Sequence, residues 1–361
     1  MGMSKVARAP WWAWTWPVLA FAIMIVTIIF GAAGATAAVA GAMLIPAVFA
    51  AVYHAEVVAQ RIGEPFGTLV LALAVTIIEV ALIVSVMLGV SADKAGLARD
   101  TVFSVVMIVC NGIVGLCLLL GGVRHHEQGF QVQGASAALA VLAPLTILTM
   151  VVPNFTVSTP GPDFSTSQLA FAAVVSLVLY GSFIFVQTVR HRDYFLQLDS
   201  GDVEHAPPAS ANAALSSVGL LLVSLVAVVG LAKALTPSVE NLIGSLGAPK
   251  AVVGIAIAML VLMPECLAAL RAARANRLQT SLNLALGSAL ASIGLTIPAV
   301  AVVSIVLGRQ LDLGLHAKES VLLALTLLVG VITLGTGRTT VLQGIVHLVI
   351  FAAFLFLTVV P

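Results

Sequence analysis

Charge is what this sequence has least of. Its 361 residues include 16 Lys or Arg and 15 Asp or Glu, 9% in all, against about 25% in ordinary soluble domains. With 61% hydrophobic residues and a mean hydropathy of +1.15, there is too much apolar surface for a water-soluble fold to hide, so a soluble domain is excluded. The formal charge is only +1, and no basic stripe with interleaved aromatics lies outside the hydrophobic segments, which excludes nucleic acid as a partner. Cysteine is scarce too. Cys110, Cys117 and Cys266 all fall in apolar segments without disulfide or metal spacing and read as packing residues. No His-Glu-x-x-His, Gly-x-Ser-x-Gly or Walker sequence occurs, so a membrane-embedded hydrolase has no motif to stand on. His125-His126 sits in a short loop beside Arg124 and reads as interfacial.

What the chain does have is long apolar runs. Windows of about 20 residues give eleven candidate spans, near 16–33, 36–54, 67–90, 101–121, 135–153, 168–189, 213–235, 250–271, 281–307, 320–335 and 339–360. Little β-branched/polar alternation runs through them, so they predict helices and not barrel strands: an all-α polytopic membrane protein. The run 281–307 is long enough to be tilted or broken. Lys5 and Arg8 precede the first run as in a signal peptide, but no small-x-small cleavage point follows, which predicts an uncleaved first helix. With the N-terminus in the cytoplasm, ten basic residues (Lys5, Arg8, Arg61, Arg124, Arg190, Arg192, Arg271, Arg274, Arg277 and Arg338) lie inside and six outside, the sense of the positive-inside rule.

Residues 190–212 form the clearest linker, with Asp193, Asp199, Asp202 and Glu204 followed by Pro207-Pro208. The division that follows is 1–35 as tail and extra helix, 36–189 as a first unit of five spans, 190–212 as a short acidic cytoplasmic linker, and 213–361 as a second unit of five. An odd number of crossings makes the second unit enter from the opposite side, giving an inverted-topology repeat.

Only Glu79 and Glu265 lie deep inside apolar runs, at comparable places in the two units. A carboxylate near the bilayer centre costs roughly 2.5–3.5 kcal/mol on insertion scales, and an intramembrane Glu is by default a functional-site hypothesis. The sequence before each follows one grammar. Glu56 is followed by Gly63 and Glu64-Pro65, then Glu79; Glu240 is followed by Gly247 and Ala248-Pro249, then Glu265. Each copy reads as an amphipathic approach helix, a Gly-x-Pro corner and an apolar helix bearing one carboxylate. Inverted repeats place ion sites near the midplane at their interface, commonly on interrupted helices, and Pro264 would free a carbonyl beside Glu265. The alternative for either glutamate is a protonated carboxyl bonded to a neighbouring helix. Glu56 and Glu240 suggest acidic gates at the pore mouths, or solvated helix faces.

The run Tyr53-His54-Ala55-Glu56, then Arg61-Ile62-Gly63-Glu64, with its spacing to Glu79, resembles the first α-repeat of the calcium/cation antiporter superfamily. Gly287-Ser288-Ala289-Leu290, after Glu265, is similar to that superfamily's Gly-Ser-Ala-Leu helix start. Within its CAX branch the chain looks most like the bacterial ChaA-type calcium or sodium:proton antiporters. The resemblance implies a cation site with Glu79 and Glu265 as main ligands and Thr76, Asn111, Ser288 and Ser292 as further oxygens. It implies Ca²⁺, Na⁺ or K⁺ and protons as partners, no cofactor, and a bacterial inner membrane with the N-terminus cytoplasmic.

The branch's Gly-Asn-Ala ahead of each glutamate is replaced here by Val75-Thr76-Ile77-Ile78 and Val261-Leu262-Met263-Pro264. Its amide ligands are missing, while Ca²⁺ prefers six to eight oxygens. Exchange of Na⁺ or K⁺ alone therefore stays open, as does a cation channel with glutamates in a selectivity ring. Asn111, Ser288 and Ser292 also suit bonding between packed helices. His347, in the last span, could relay protons, although the superfamily's transport path does not run there. The expected chemistry is competition between protons and cation for one buried pair of carboxylates.

Overall fold

The computed structural model describes residues 10–63, 66–87, 96–159, 161–197, 210–245, 249, 251–308 and 311–360. Eleven long helices follow one another: α1 (Trp11–Phe30), α2 (Ala35–Ile62), α3 (Phe66–Met87), α4 (Leu97–His125), α5 (Val132–Phe155), α6 (Thr166–Arg190), α7 (Ala211–Ser245), α8 (Ala251–Arg274), α9 (Leu278–Leu307), α10 (Ala317–Leu334) and α11 (Val341–Val359). Among the described residues, ten of these are long and apolar enough to cross a membrane, and α3, at 22 residues, completes the set. An extra helix is thus followed by two sets of five. A backbone without water must satisfy its polar groups internally, which is why apolar runs of this length become helices.

Proline does not break them. Pro17, Pro46, Pro237, Pro264 and Pro298 all lie within continuous helices. Of the two forms open to 281–307, tilted or broken, the break does not occur: that helix runs through, as does the one carrying Pro264, whose missing N–H is tolerated where neighbours pack around it. Irregularity lies elsewhere, in π-helical stretches at Ile108–Ile113 of α4, Ile147–Val151 of α5 and Val186–Arg190 of α6. Helix ends follow local chemistry. Ser165 with Gln168 and Thr340 with Gln343 form capping boxes at α6 and α11. Gly63 closes α2 at φ 76°, a conformation that glycine adopts without penalty, which puts a helix end at the glycine of the first expected corner. Glu64, Gly247 and the acids of 199–204 lie outside the described residues.

The chain divides into two compact units. The first contains α1, α2, α3 as far as Ile78, and α7 to Val239. Buried His54 staples it: its Nε2 lies 2.7 Å from the Ala13 carbonyl of α1 and its Nδ1 3.1 Å from the Ser217 hydroxyl of α7. The carbonyl can only accept, so Nε2 carries the proton and Ser217 donates to Nδ1. His54, part of the motif that suggested the family, is structural in this unit.

The second unit starts at Glu79 and contains α4 to α6 and α8 to α11. Helix α4 is its axis, packed against α8 and α11 and almost wholly buried. At one end a short ladder pairs β1 (Gln128–Gly129) with β2 (Arg338–Thr339), and Gln128 donates to the Ala273 carbonyl and to Asn276 Oδ1, both at 2.9 Å. His125 Nε2 meets the Arg274 carbonyl at 3.0 Å, so this histidine ties helix ends together.

At the other end Asp163 and Asp312 face each other across an antiparallel bridge, backed by Gly314 N–H donating to the Pro162 carbonyl and Leu315 N–H to that of Met150. Arg99 Nη1 donates to the Gly314 carbonyl. Partial burial, and then the neighbouring Asp312, push the Asp163 carboxyl up to about 6. An acid raised in the folded state keeps its proton after the unfolded chain has lost it. Stability therefore falls as pH rises from about 4 to about 6 and is flat above. Replacing Asp312 by Asn should flatten that fall, as read from thermal unfolding of detergent-purified protein across pH 4–7, numbers that bracket this window.

Close helix approach depends on missing side chains. A Cβ on Gly344 of α11 would meet the Leu119 backbone nitrogen of α4 at 2.5 Å, whereas one on Gly219 of α7 would meet nothing within 4 Å. Gly344→Ala should destabilise the protein by about 1–3 kcal/mol and lower its unfolding midpoint. Gly219→Ala should leave it unchanged or slightly raised.

Candidate functional site

Thr76 and Glu79 lie one turn apart on α3, and the residues around them show which way that helix faces. Val75, Thr76, Ile78 and Glu79 are buried, while Ile77 is 42% exposed. Glu79 is 1% exposed and Thr76 is 5% exposed. Within the second unit the Glu79 carboxylate faces the hydroxyls of Ser292 and Thr296 on α9. Neither hydroxyl reaches good hydrogen-bond geometry. Both carboxylate oxygens and the Thr296 hydroxyl are buried and, among the described residues, without a hydrogen-bond partner. A native interior rarely leaves three such atoms in one place, and each calls for an explanation.

Ser288, Ser292 and Thr296 form a column along α9 at four-residue spacing. Ser292 and Thr296 are buried and Ser288 is half-buried. Thr296 was not singled out from the sequence, although the four-residue step from Ser288 to Ser292 leads straight to it. Glu265 is half-buried on α8, with Cys266 beside it, and α8 packs against α9 and α4. Helix α9 is therefore common to both carboxylates: it faces Glu79 directly and packs against the helix of Glu265.

Asn111 turns elsewhere. It lies in the π-helical stretch of α4 and is fully buried. Its Nδ2 donates to the Thr326 hydroxyl of α10 at 2.9 Å, and its Oδ1 lies 3.2 Å from Nδ1 of His347 on α11. One lone pair of Oδ1 is what remains for an ion. Glu56 is exposed on α2 in the first unit. The side chain of Glu240 lies outside the described residues.

A long-helix membrane fold with an orphaned intramembrane carboxylate opposite a hydroxyl column defines a class of cation-handling membrane protein. The chain matches the sodium/calcium exchanger protein family over residues 16–189 and 216–360, and it belongs to that family. It is 49% identical over 360 residues to the putative ionic transporter y4hA of Sinorhizobium fredii (strain NBRC 101917 / NGR234), covering 99% of this chain and 98% of that one. It is 39% identical over 317 residues to the sodium-potassium/proton antiporter ChaA of Escherichia coli (strain K12), covering 86% and 85%. Among solved structures, native YfkE superposes with a TM-score of 0.72 at 16% identity, over 97% of this chain and 100% of that one. The H⁺/Ca²⁺ exchanger CAX gives 0.72 at 15% identity, over 95% and 88%. At such identities the two structures establish the fold.

Removing the hydroxyls that face Glu79 tests the site. Ser292→Ala and Thr296→Val should each weaken apparent cation affinity roughly ten- to hundredfold, the scale of one interaction with a charged group. Gly219→Ala, at a position where a methyl group meets nothing within 4 Å, should not. The measurement is exchange in proteoliposomes as a function of cation concentration.

Proposed function

We propose that this protein is a secondary active cation:proton antiporter in which Glu79 and Glu265 alternately hold cation and proton. The observation that carries the reading is the buried Glu79 carboxylate, unpartnered among the described residues and facing two hydroxyls of α9. In a medium without water such a group is stable only when protonated or when a cation sits against it. One site that must be filled by one or the other couples their movements. The empty, ionised site is the form least able to reorient through a dry barrier.

Ca²⁺, Na⁺ and K⁺ are the candidate cargoes. A second reading, transport of Na⁺ or K⁺ without Ca²⁺, is favoured by the apolar residues that stand where the branch has its asparagines. They leave Glu79, Glu265, Thr76, Ser288, Ser292 and Asn111 to supply oxygens, few for an ion that prefers six to eight. The name of the E. coli relative, a sodium-potassium/proton antiporter, points the same way.

In this reading the repeats are 36–189 and 213–361, related by inverted topology and joined by 190–212. The protein lies in the bacterial inner membrane with its N-terminus cytoplasmic, as the 10 to 6 distribution of basic residues favours. A cytoplasmic cation leaves as outside protons enter. Glu56 and Glu240 are gates that concentrate cations at the mouths.

The test uses everted membrane vesicles with a pH-sensitive dye and each cation added separately. Wild type should dequench with its cargo, and Glu79→Gln and Glu265→Gln should each lose the response while keeping wild-type abundance and a monodisperse profile in detergent. Retained proton-coupled flux in both variants overturns the assignment, and currents far above transporter turnover in planar bilayers would favour a channel.

A further inference from the structure

One buried titratable side chain of the second unit has no part in the exchange described above. His347, 1% exposed on α11, sits at the centre of a hydrogen-bonded chain. Its ring links Asn111 Oδ1 at 3.2 Å to the Thr333 hydroxyl of α10 at 3.1 Å. Asn111 continues the chain to Thr326, whose hydroxyl lies 2.8 Å from the Leu322 carbonyl.

With the Thr326 hydroxyl donating to the Leu322 carbonyl, the donors and acceptors in this chain follow one order. The Leu322 carbonyl accepts, so the Thr326 hydroxyl donates to it and accepts from Asn111 Nδ2. That turns the Asn111 carbonyl toward the ring, and Nδ1 of His347 must carry the proton. Nε2 is left as the acceptor for the Thr333 hydroxyl. Every strong group in the chain is matched, with His347 as a neutral ring.

The segment this chain grips is the π-helical stretch Ile108–Ile113, which carries Asn111. An α-helix with a π turn has an alternative register in which the extra residue is absorbed, and such turns concentrate at functional positions. This one packs against α8, which carries Glu265, and against α9, which carries Ser292 and Thr296. A change of register would rotate the rest of α4 against both.

We propose that His347 is a positioning residue for cation exchange: as a neutral hydrogen-bonding ring it clamps Asn111 and the π turn of α4, and so fixes the wall against which the Glu265 and Ser292 helices form the cation site. It acts through Asn111 and carries no transported proton. The inference rests on the antiport reading.

The test compares His347→Gln with His347→Leu, each alone and in an Asn111→Ala background, in proteoliposomes whose wild-type protein exchanges H⁺ for the cation that gave dequenching. A glutamine can donate to Asn111 and accept from Thr333; a leucine can do neither. His347→Gln should keep the wild-type pH profile and an apparent affinity within about threefold. His347→Leu should lose tenfold or more in affinity with its maximal rate within about threefold. In the Asn111→Ala background the leucine should add less than twofold.

Wild-type affinity in His347→Leu overturns the proposal, and so do additive losses in the double variant. Loss of one limb of the pH profile in His347→Gln would make the ring a proton carrier and overturn it equally. Should His347→Leu not fold, Thr333→Val and Thr326→Val remove one hydrogen bond each. Both should shift affinity three- to tenfold in the same direction, and unchanged values overturn the clamp. Absence of exchange in the wild type itself would instead bring down the antiport reading.

Discussion

The absence of water from the bilayer core is the constraint on which the rest of this structure depends. It makes the backbone helical, keeps prolines such as Pro46 and Pro264 inside long helices without breaking them, and favours a partner for every polar side chain at depth. His54, Asn111, Thr326, Thr333 and His347 all have one. Glu79, the most expensive of the buried groups, has none among the described residues. Other buried oxygens lack partners too, those of Ser224 and Ser281 among them, but among the described residues Glu79 alone has both oxygens of a carboxylate left so, which marks a place meant to be filled from outside.

The polar groups of the second unit sort into two kinds. Around Asn111 each donor meets an acceptor, and the consequence is rigidity: α4, α10 and α11 are stitched at mid-depth. Around Glu79, Ser292 and Thr296 the oxygens face one another without settling, and the consequence is capacity for a cation or a proton. A satisfied network held next to an unsatisfied site gives the site a fixed frame. The small residues follow the same logic, since Gly344 on α11 and Gly294 on α9 let helices approach where a methyl group would collide.

Much of this was legible in the chain. Eleven spans were readable because hydropathy reports directly on transfer into lipid, and Glu79 and Glu265 stood out because carboxylates are so costly there. The Gly63 corner was readable from its own chemistry. Boundaries were less so: the first helix begins at Trp11, some five residues before the apolar window, because tryptophan suits the interface and scores low on hydropathy. Thr296 was overlooked because a threonine in a helix is unremarkable until a carboxylate from another helix faces it.

The sequence by itself determined that the chain crosses a membrane many times, in an extra helix and two sets of five, with one acid deep in each. Those are one-dimensional properties, set by the free energy of moving each residue from water to hydrocarbon. Which buried polar groups meet was decided only by tertiary structure. Asn111 could equally have faced an ion or a neighbouring helix, and it was the packing of α4 against α10 and α11 that gave its amide to Thr326 and His347. Hydrogen bonds are short-ranged and directional, so the side of the helix on which a side chain finds its partner cannot be read from its neighbours in the chain.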